Sequence, residues 1–238
     1  MDKFAKQIEI FADGADIQTI KDYSKISWIT GFTTNPTLMN KSGVNNYSKF
    51  AKEVLEIIGK KSISFEVFAD THDEMIEQAN IISKWGSNIF VKIPIMNSLG
   101  EPCDKAIIKM NNSGIPLNVT AIMTAHQVNS LIPHLDPRTP IYLSVFAGRI
   151  ADTGCDPEEI VSKIVKLTNS NSSIKIIWAS PRELLNVYHA INSGAHIITI
   201  TRDILNKAYL IGKNLDEYSK ETVNMFLTDA KSSGLNLS

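Results

Sequence analysis

Lys92 lies in Phe90-Val91-Lys92-Ile93-Pro94, with apolar residues on either side. A lysine in that setting points either into a protein interior or out along an apolar surface with its head in water. In an interior, desolvation disfavours the ammonium form. Attack on a carbonyl needs a neutral amine, so an inward Lys92 suits Schiff-base chemistry, whereas an outward one is structural. Glu66 interrupts the apolar run Ile63-Ser64-Phe65-Glu66-Val67-Phe68. A buried carboxylate must be paired or perform a task, so Glu66 offers either a structural pairing or a water-mediated proton path to Lys92. Asp13 follows Ile8-Glu9-Ile10-Phe11-Ala12. It can move protons during carbinolamine formation and C–C cleavage, or sit in the turn before a helix, a role Asp16 can also fill.

A second group of residues suits polar and anionic ligands. In Gly31-Phe32-Thr33-Thr34-Asn35-Pro36-Thr37, Asn35 carries a donor and an acceptor for hydroxyl groups. Pro36 restrains it toward extended geometry, and a plain strand-to-loop turn uses the same dipeptide. Arg149 follows Phe146-Ala147-Gly148, and Arg182 follows Ser180-Pro181. Two arginines suit a phosphate dianion through forked hydrogen bonds, and Ser180 before a proline-opened helix would add a helix N-terminus. Taken singly, either arginine reads as an ordinary surface residue. The five histidines show no metal-ligand spacing.

These side chains need a frame. Short apolar runs recur at Ile8–Ala12, Trp28–Thr33, Ile63–Phe68, Ile89–Ile93, Leu117–Ile122, Ile141–Phe146, Ile174–Ala179 and Ile197–Thr201. Such runs suit strands of a parallel sheet buried on both faces. Amphipathic stretches separate them. Thr71 or Asp73 can cap one helix, Pro157 opens another with Ile160, Ile164 and Leu167 along one face, and Pro181 is expected to open a third. Eight strands alternating with helices match a (β/α)8 barrel, typically ~250 residues. A doubly wound open sheet is the rival, but no G-x-G-x-x-G or Walker A segment occurs. In a barrel, function sits at the C-terminal strand ends. The polar residues there are Asp13, Asn35, Glu66, Lys92, Thr120, Ser144, Ser180 and Thr201. The chain is expected to form a single domain over 1–238, with 214–235 a helical extension. Val223, Phe226, Leu227 and Ala230 give that extension an apolar stripe for its own barrel or for a neighbouring subunit.

The 238 residues carry a formal charge of −1, with 43% hydrophobic and 21% charged residues. That composition fits a globular chain and argues against a broad nucleic-acid or anionic-membrane surface. Cys103 and Cys155 are far apart, which excludes a disulfide framework or a cysteine zinc site. The stretch from Met110 to Leu135 lacks Asp, Glu, Lys and Arg but holds too many Asn, Gly and Pro residues for a membrane span. Without a basic, apolar leader, a reducing cytoplasmic setting is expected.

Together these residues resemble the transaldolase family, which includes the small-subunit transaldolases and the fructose-6-phosphate aldolases. The resemblance runs from about Ile8 to Leu205. It is carried by GFTTNP at Gly31–Pro36 (the family has G-V-T-T-N-P), VKIP at Val91–Pro94, and SVFAGR at Ser144–Arg149 (the family has S-P-F-V-G-R). It implies a (β/α)8 barrel whose Schiff-base lysine is Lys92. Asp13 would be the acid/base, Glu66 its partner through a water, and Thr120 a holder of that water. Thr34, Asn35, Ser144 and Phe146 would face the substrate, while Arg149, Ser180 and Arg182 would hold its phosphate. The aldolase branch resembles a site with glutamine at position 66 and tyrosine at 146, so Glu66 and Phe146 favour transfer over simple aldol cleavage. A fructose-6-phosphate-type aldolase, a specialised transaldolase-like enzyme of sugar biosynthesis and a silent sugar-phosphate-binding barrel are the alternatives. The resemblance further implies sugar-phosphate substrates of the pentose phosphate pathway, no metal, no cofactor, and a homo-oligomer. Several loops depart from the family pattern. Asp13-Gly14-Ala15-Asp16 lacks the usual Thr after the aspartate, Ile95-Met96-Asn97-Ser98 replaces a small, Thr-rich turn, and Pro181 replaces phenylalanine.

Overall fold

Isoleucine, valine and phenylalanine fill the eight runs because a strand between helices and a barrel interior meets no water on either face. A computed structural model, which describes residues 1–235, places the strands at β1 Glu9–Asp13, β2 Ile29–Thr33, β3 Ser62–Glu66 and β4 Ile89–Pro94. The other four are β5 Leu117–Ile122, β6 Ile141–Val145, β7 Ile174–Trp178 and β8 Ile197–Thr201. They are parallel and neighbour one another in chain order, and β8 pairs with β1 to close the barrel. The fold is a (β/α)8 barrel, as expected.

Local chemistry sets the helix starts. Thr71 caps His72–Ile82 by accepting from the Glu74 amide, and Asp156 caps Pro157–Thr168, with proline at the first helical position. The second helix buries Val161, Ile164 and Thr168 rather than the stripe Ile160–Ile164–Leu167, so its contact face is rotated by about one residue. Pro181 does not open a helix. The next helix is Asn186–Asn192, and the Asn186 side chain accepts from the Arg182 and Glu183 amides, which holds the intervening segment as a loop.

The N-terminal half of the barrel interior is aromatic. Tyr142 stacks on Phe90 at 3.8 Å and meets Phe11 edge-on at 5.8 Å. Gly31 makes room for Phe11: a Cβ at position 31 would lie 2.6 Å from the ring. Of the three tryptophans, only Trp178 is fully buried.

The barrel belongs to a unit spanning Met1–Leu205, and a second unit begins at Asn206. The second unit contains the helix Leu215–Ser232, capped by Asn214, with Lys213 paired to Glu221. Val223, Phe226 and Leu227 on this helix are exposed. Among the described residues, no helix is long and apolar enough to cross a membrane.

Candidate active site

Side chains alternate between inside and outside along a strand, so residues two apart face the same way. Lys92 pairs in register with Glu66 on β3 and Asn118 on β5, and its side chain points inward, only 5% exposed. Its Nζ lies 3.0 Å from Glu66 Oε2 and donates to the Thr34 carbonyl at 2.9 Å. The contact with Glu66 is therefore direct. Thr34 is fixed in turn, its hydroxyl donating to the Ser64 carbonyl at 2.9 Å. Tyr47 donates to the Glu66 carbonyl at 3.0 Å, and burial pushes its phenol well above the ordinary range, so it stays protonated at neutral pH.

Asp13 stands at the end of β1. Burial raises its carboxyl above the ordinary carboxylate range; Lys92 and a hydrogen bond from Thr33 oppose that rise, and Glu66 adds to it. Thr33 Oγ1 donates to Asp13 Oδ1 at 2.8 Å. The capping role belongs to Asp16, whose carboxylate accepts from the Thr19 amide at 2.8 Å, so Asp13 is not spent on a helix end.

Ser144 donates to Asn118 Oδ1 at 2.7 Å, and Asn118 Nδ2 donates to Ser64 Oγ at 2.9 Å. This chain joins β6, β5 and β3 beside the lysine. Thr120 is 2% exposed, and its hydroxyl makes no hydrogen bond among the described residues. A buried hydroxyl so placed can bind a substrate or a water. The next residue, Ala121, has φ 61, where the β5–β6 register breaks between Val119 and Ile122. Asn35 serves the turn as well: its Oδ1 caps Pro36–Lys41 by accepting from the Leu38 amide at 2.9 Å.

Phe146 packs against the interior aromatic cluster, and the Arg149 guanidinium lies 5.9 Å from its ring. The two arginine segments meet through backbone. A Cβ on Gly148 would fall 1.7 Å from the Ser180 carbonyl oxygen, and Ser180 itself has φ 59. The Arg182 guanidinium pairs with Asp152, both about half exposed. The structure thus gathers Lys92, Glu66, Asp13, Thr34 and Ser144 into hydrogen-bonded groups and brings the segments that carry Arg149 and Arg182 together at Gly148 and Ser180. It adds Thr33, Tyr47 and Asn118, and Thr199, whose hydroxyl lies 2.5 Å from that of Thr33; the sequence reading missed all four. A local signal existed for Asn118, which lies two residues before Thr120 on β5 and so faces the same way.

The chain is a (β/α)8 barrel with a buried lysine and two carboxylates at its C-terminal mouth. A family model described as Transaldolase/Fructose-6-phosphate aldolase matches residues 10–237. The chain belongs to the transaldolase/fructose-6-phosphate aldolase family. It is 33% identical over 218 residues to "Probable transaldolase 2" of Listeria monocytogenes, covering 90% of this chain and 95% of that one. It is 35% identical over 218 residues to "Probable transaldolase" of Clostridioides difficile, with 90% and 96% covered. Among solved structures, the 4-hydroxy-tetrahydrodipicolinate synthase of Methylacidiphilum fumariolicum SolV superposes with a TM-score of 0.61 at 14% identity. The match covers 87% of this chain and 74% of that one, a likeness of fold alone.

Proposed function

We propose that the chain is a transaldolase. It moves a dihydroxyacetone unit from a ketose phosphate, fructose 6-phosphate or sedoheptulose 7-phosphate, to an aldose phosphate through a Schiff base on Lys92. The observation that carries this reading is the buried Lys92 in direct contact with Glu66 and within the field of Asp13. In this scheme the Lys92 ammonium cedes a proton to Glu66, and the neutral Nζ adds to the C2 carbonyl. The carbinolamine hydroxyl takes a proton from Asp13 and leaves as water. The iminium then accepts the electrons of the C3–C4 bond while Asp13 removes the C4 hydroxyl proton. The aldose phosphate departs, and an enamine stays on Lys92. An acceptor aldehyde bonds to the enamine carbon, its oxygen is protonated, and water hydrolyses the new iminium.

Transfer requires that the enamine not be protonated before the acceptor arrives. Phe146 faces the interior without a hydroxyl, so that position supplies no proton. Arg149 and Arg182 serve the phosphate, with Arg182 exchanging Asp152 for the ligand.

Borohydride reduction in the presence of fructose 6-phosphate tests the reading. A reduced dihydroxyacetone adduct on Lys92 is expected by peptide mass spectrometry, and none in Lys92→Ala. A folded protein that traps neither fructose 6-phosphate nor sedoheptulose 7-phosphate overturns it. Release of free dihydroxyacetone without an acceptor would replace transfer by aldol cleavage.

A further inference from the structure

Behind Asp13 lies a pair of hydroxyls that the reaction scheme does not use. Thr33 Oγ1 lies 2.8 Å from Asp13 Oδ1 and 2.5 Å from Thr199 Oγ1. Thr33 and Thr199 are both buried, at 3% and 5% exposure, on β2 and β8. These strands flank β1 on its two sides, with Asp13 in register with Thr33. A hydroxyl carries one hydrogen and can donate once. If Thr33 spends its hydrogen on the Asp13 carboxylate, the contact between the two hydroxyls must be made with the hydrogen of Thr199. The chain of donors then has one direction, from Thr199 to Thr33 to Asp13.

We propose that Thr199 is a positioning residue that acts on Asp13 through Thr33, orienting the Thr33 hydroxyl toward the carboxylate and strengthening it as a donor. A donor that itself accepts a hydrogen bond is polarised and binds its own acceptor more strongly. The charged groups facing Asp13 are Lys92 on β4 and Glu66 on β3, and neither touches Thr199 by hydrogen bond among the described residues. Thr199 therefore reaches Asp13 by hydrogen bonding rather than by charge. The catalytic part of this inference rests on the transaldolase reading; the effect on Asp13 does not.

The test is a carbon-13 NMR titration of the full chain carrying labelled aspartate, with the Asp13 carboxyl assigned by its loss in Asp13→Asn. Thr199→Val keeps the shape and removes the hydroxyl. It is expected to move the Asp13 titration upward by about 0.3 pH unit, a fraction of the shift of about one unit expected for Thr33→Val. Thr199→Ser should restore the wild-type midpoint. Should Thr199→Val fail to fold, Thr199→Ala gives the same reading. An unmoved midpoint in Thr199→Val or Thr199→Ala, with Thr33→Val shifted, overturns the proposal, as does a shift that Thr199→Ser fails to reverse. The pH profile of borohydride trapping, run in parallel, should move with the titration. If wild-type protein traps no ketose phosphate, the transaldolase reading fails while the titration still decides the role of Thr199.

Discussion

The barrel contains two lysine–glutamate pairs on its strands, one near each end. Lys92 and Glu66 lie 3.0 Å apart at the C-terminal mouth, with side chains 7% and 15% exposed. Lys175 and Glu9 lie 2.6 Å apart near the N-terminal end, with side chains 43% and 39% exposed. The residue types are the same, and the second pair is the shorter. The difference is water. Around Lys175 and Glu9 solvent screens both charges, so the pair adds little to stability. Around Lys92 and Glu66 each charge depends on the other, and the loss of one strands its partner. Burial, not distance, separates a pair that can do chemistry from one that decorates a strand end.

The largest expected effect breaks the buried pair. Lys92→Ala should abolish adduct formation and lower turnover about a thousandfold or more. It should also cost about 3–5 kcal/mol in urea unfolding because Glu66 is left alone. Lys92→Arg should recover most of that stability and none of the adduct; if Lys92→Ala unfolds like the wild type, the contrast between the two ends is wrong. Next comes the aromatic interior. Phe11→Ala, which empties the space against Gly31, should cost about 3–5 kcal/mol in the same assay, without moving the pH profile of trapping.

A smaller effect concerns Asp13 and carries a sign. Burial raises its folded pKa, so the folded state holds the proton more tightly than the unfolded one. Stability tied to this group is therefore present at low pH. It falls as pH rises from about 4, the unfolded carboxylate value, through the raised folded value, and stays lost above that. Asp13→Asn should accordingly melt at a higher temperature than wild type at pH 7 and lose that advantage near pH 4. Its trapping rate should fall about a hundredfold. The smallest effect belongs to Lys175→Ala: a change within about 1 kcal/mol that shrinks in salt, with trapping unaltered.

The strands were legible because burial on both faces leaves an unbroken apolar signature, and each observed strand ends within two residues of its run. Lys92 and Glu66 were legible because a charge inside such a run stands out. Thr33 and Thr199 were not. Their hydroxyls meet across 166 residues of sequence, and a threonine in a strand is ordinary. The loop at Ser180 misled for a related reason. Proline after serine signals a helix start, but Ser180 is held with φ 59 against Gly148, and Asn186 captures the two amides that a helix would have used. Direct contact between Lys92 and Glu66 follows from register, which the spacing of runs does not specify.

The pairing of β8 with β1 also sets the order in which the protein becomes competent during synthesis. Asp13 is made long before β8, and β1 keeps an open edge until β8 arrives. Bringing Thr33 to Thr199 closes a loop of well over a hundred residues, and a closure of that span is entropically costly and slow. A nascent chain that stops after β7 holds Lys92, Glu66 and Asp13 but not the strand that completes the surroundings of Asp13. Until β8 is made, the edge of β1 beside Asp13 stays open and Thr33 lacks the hydroxyl of Thr199.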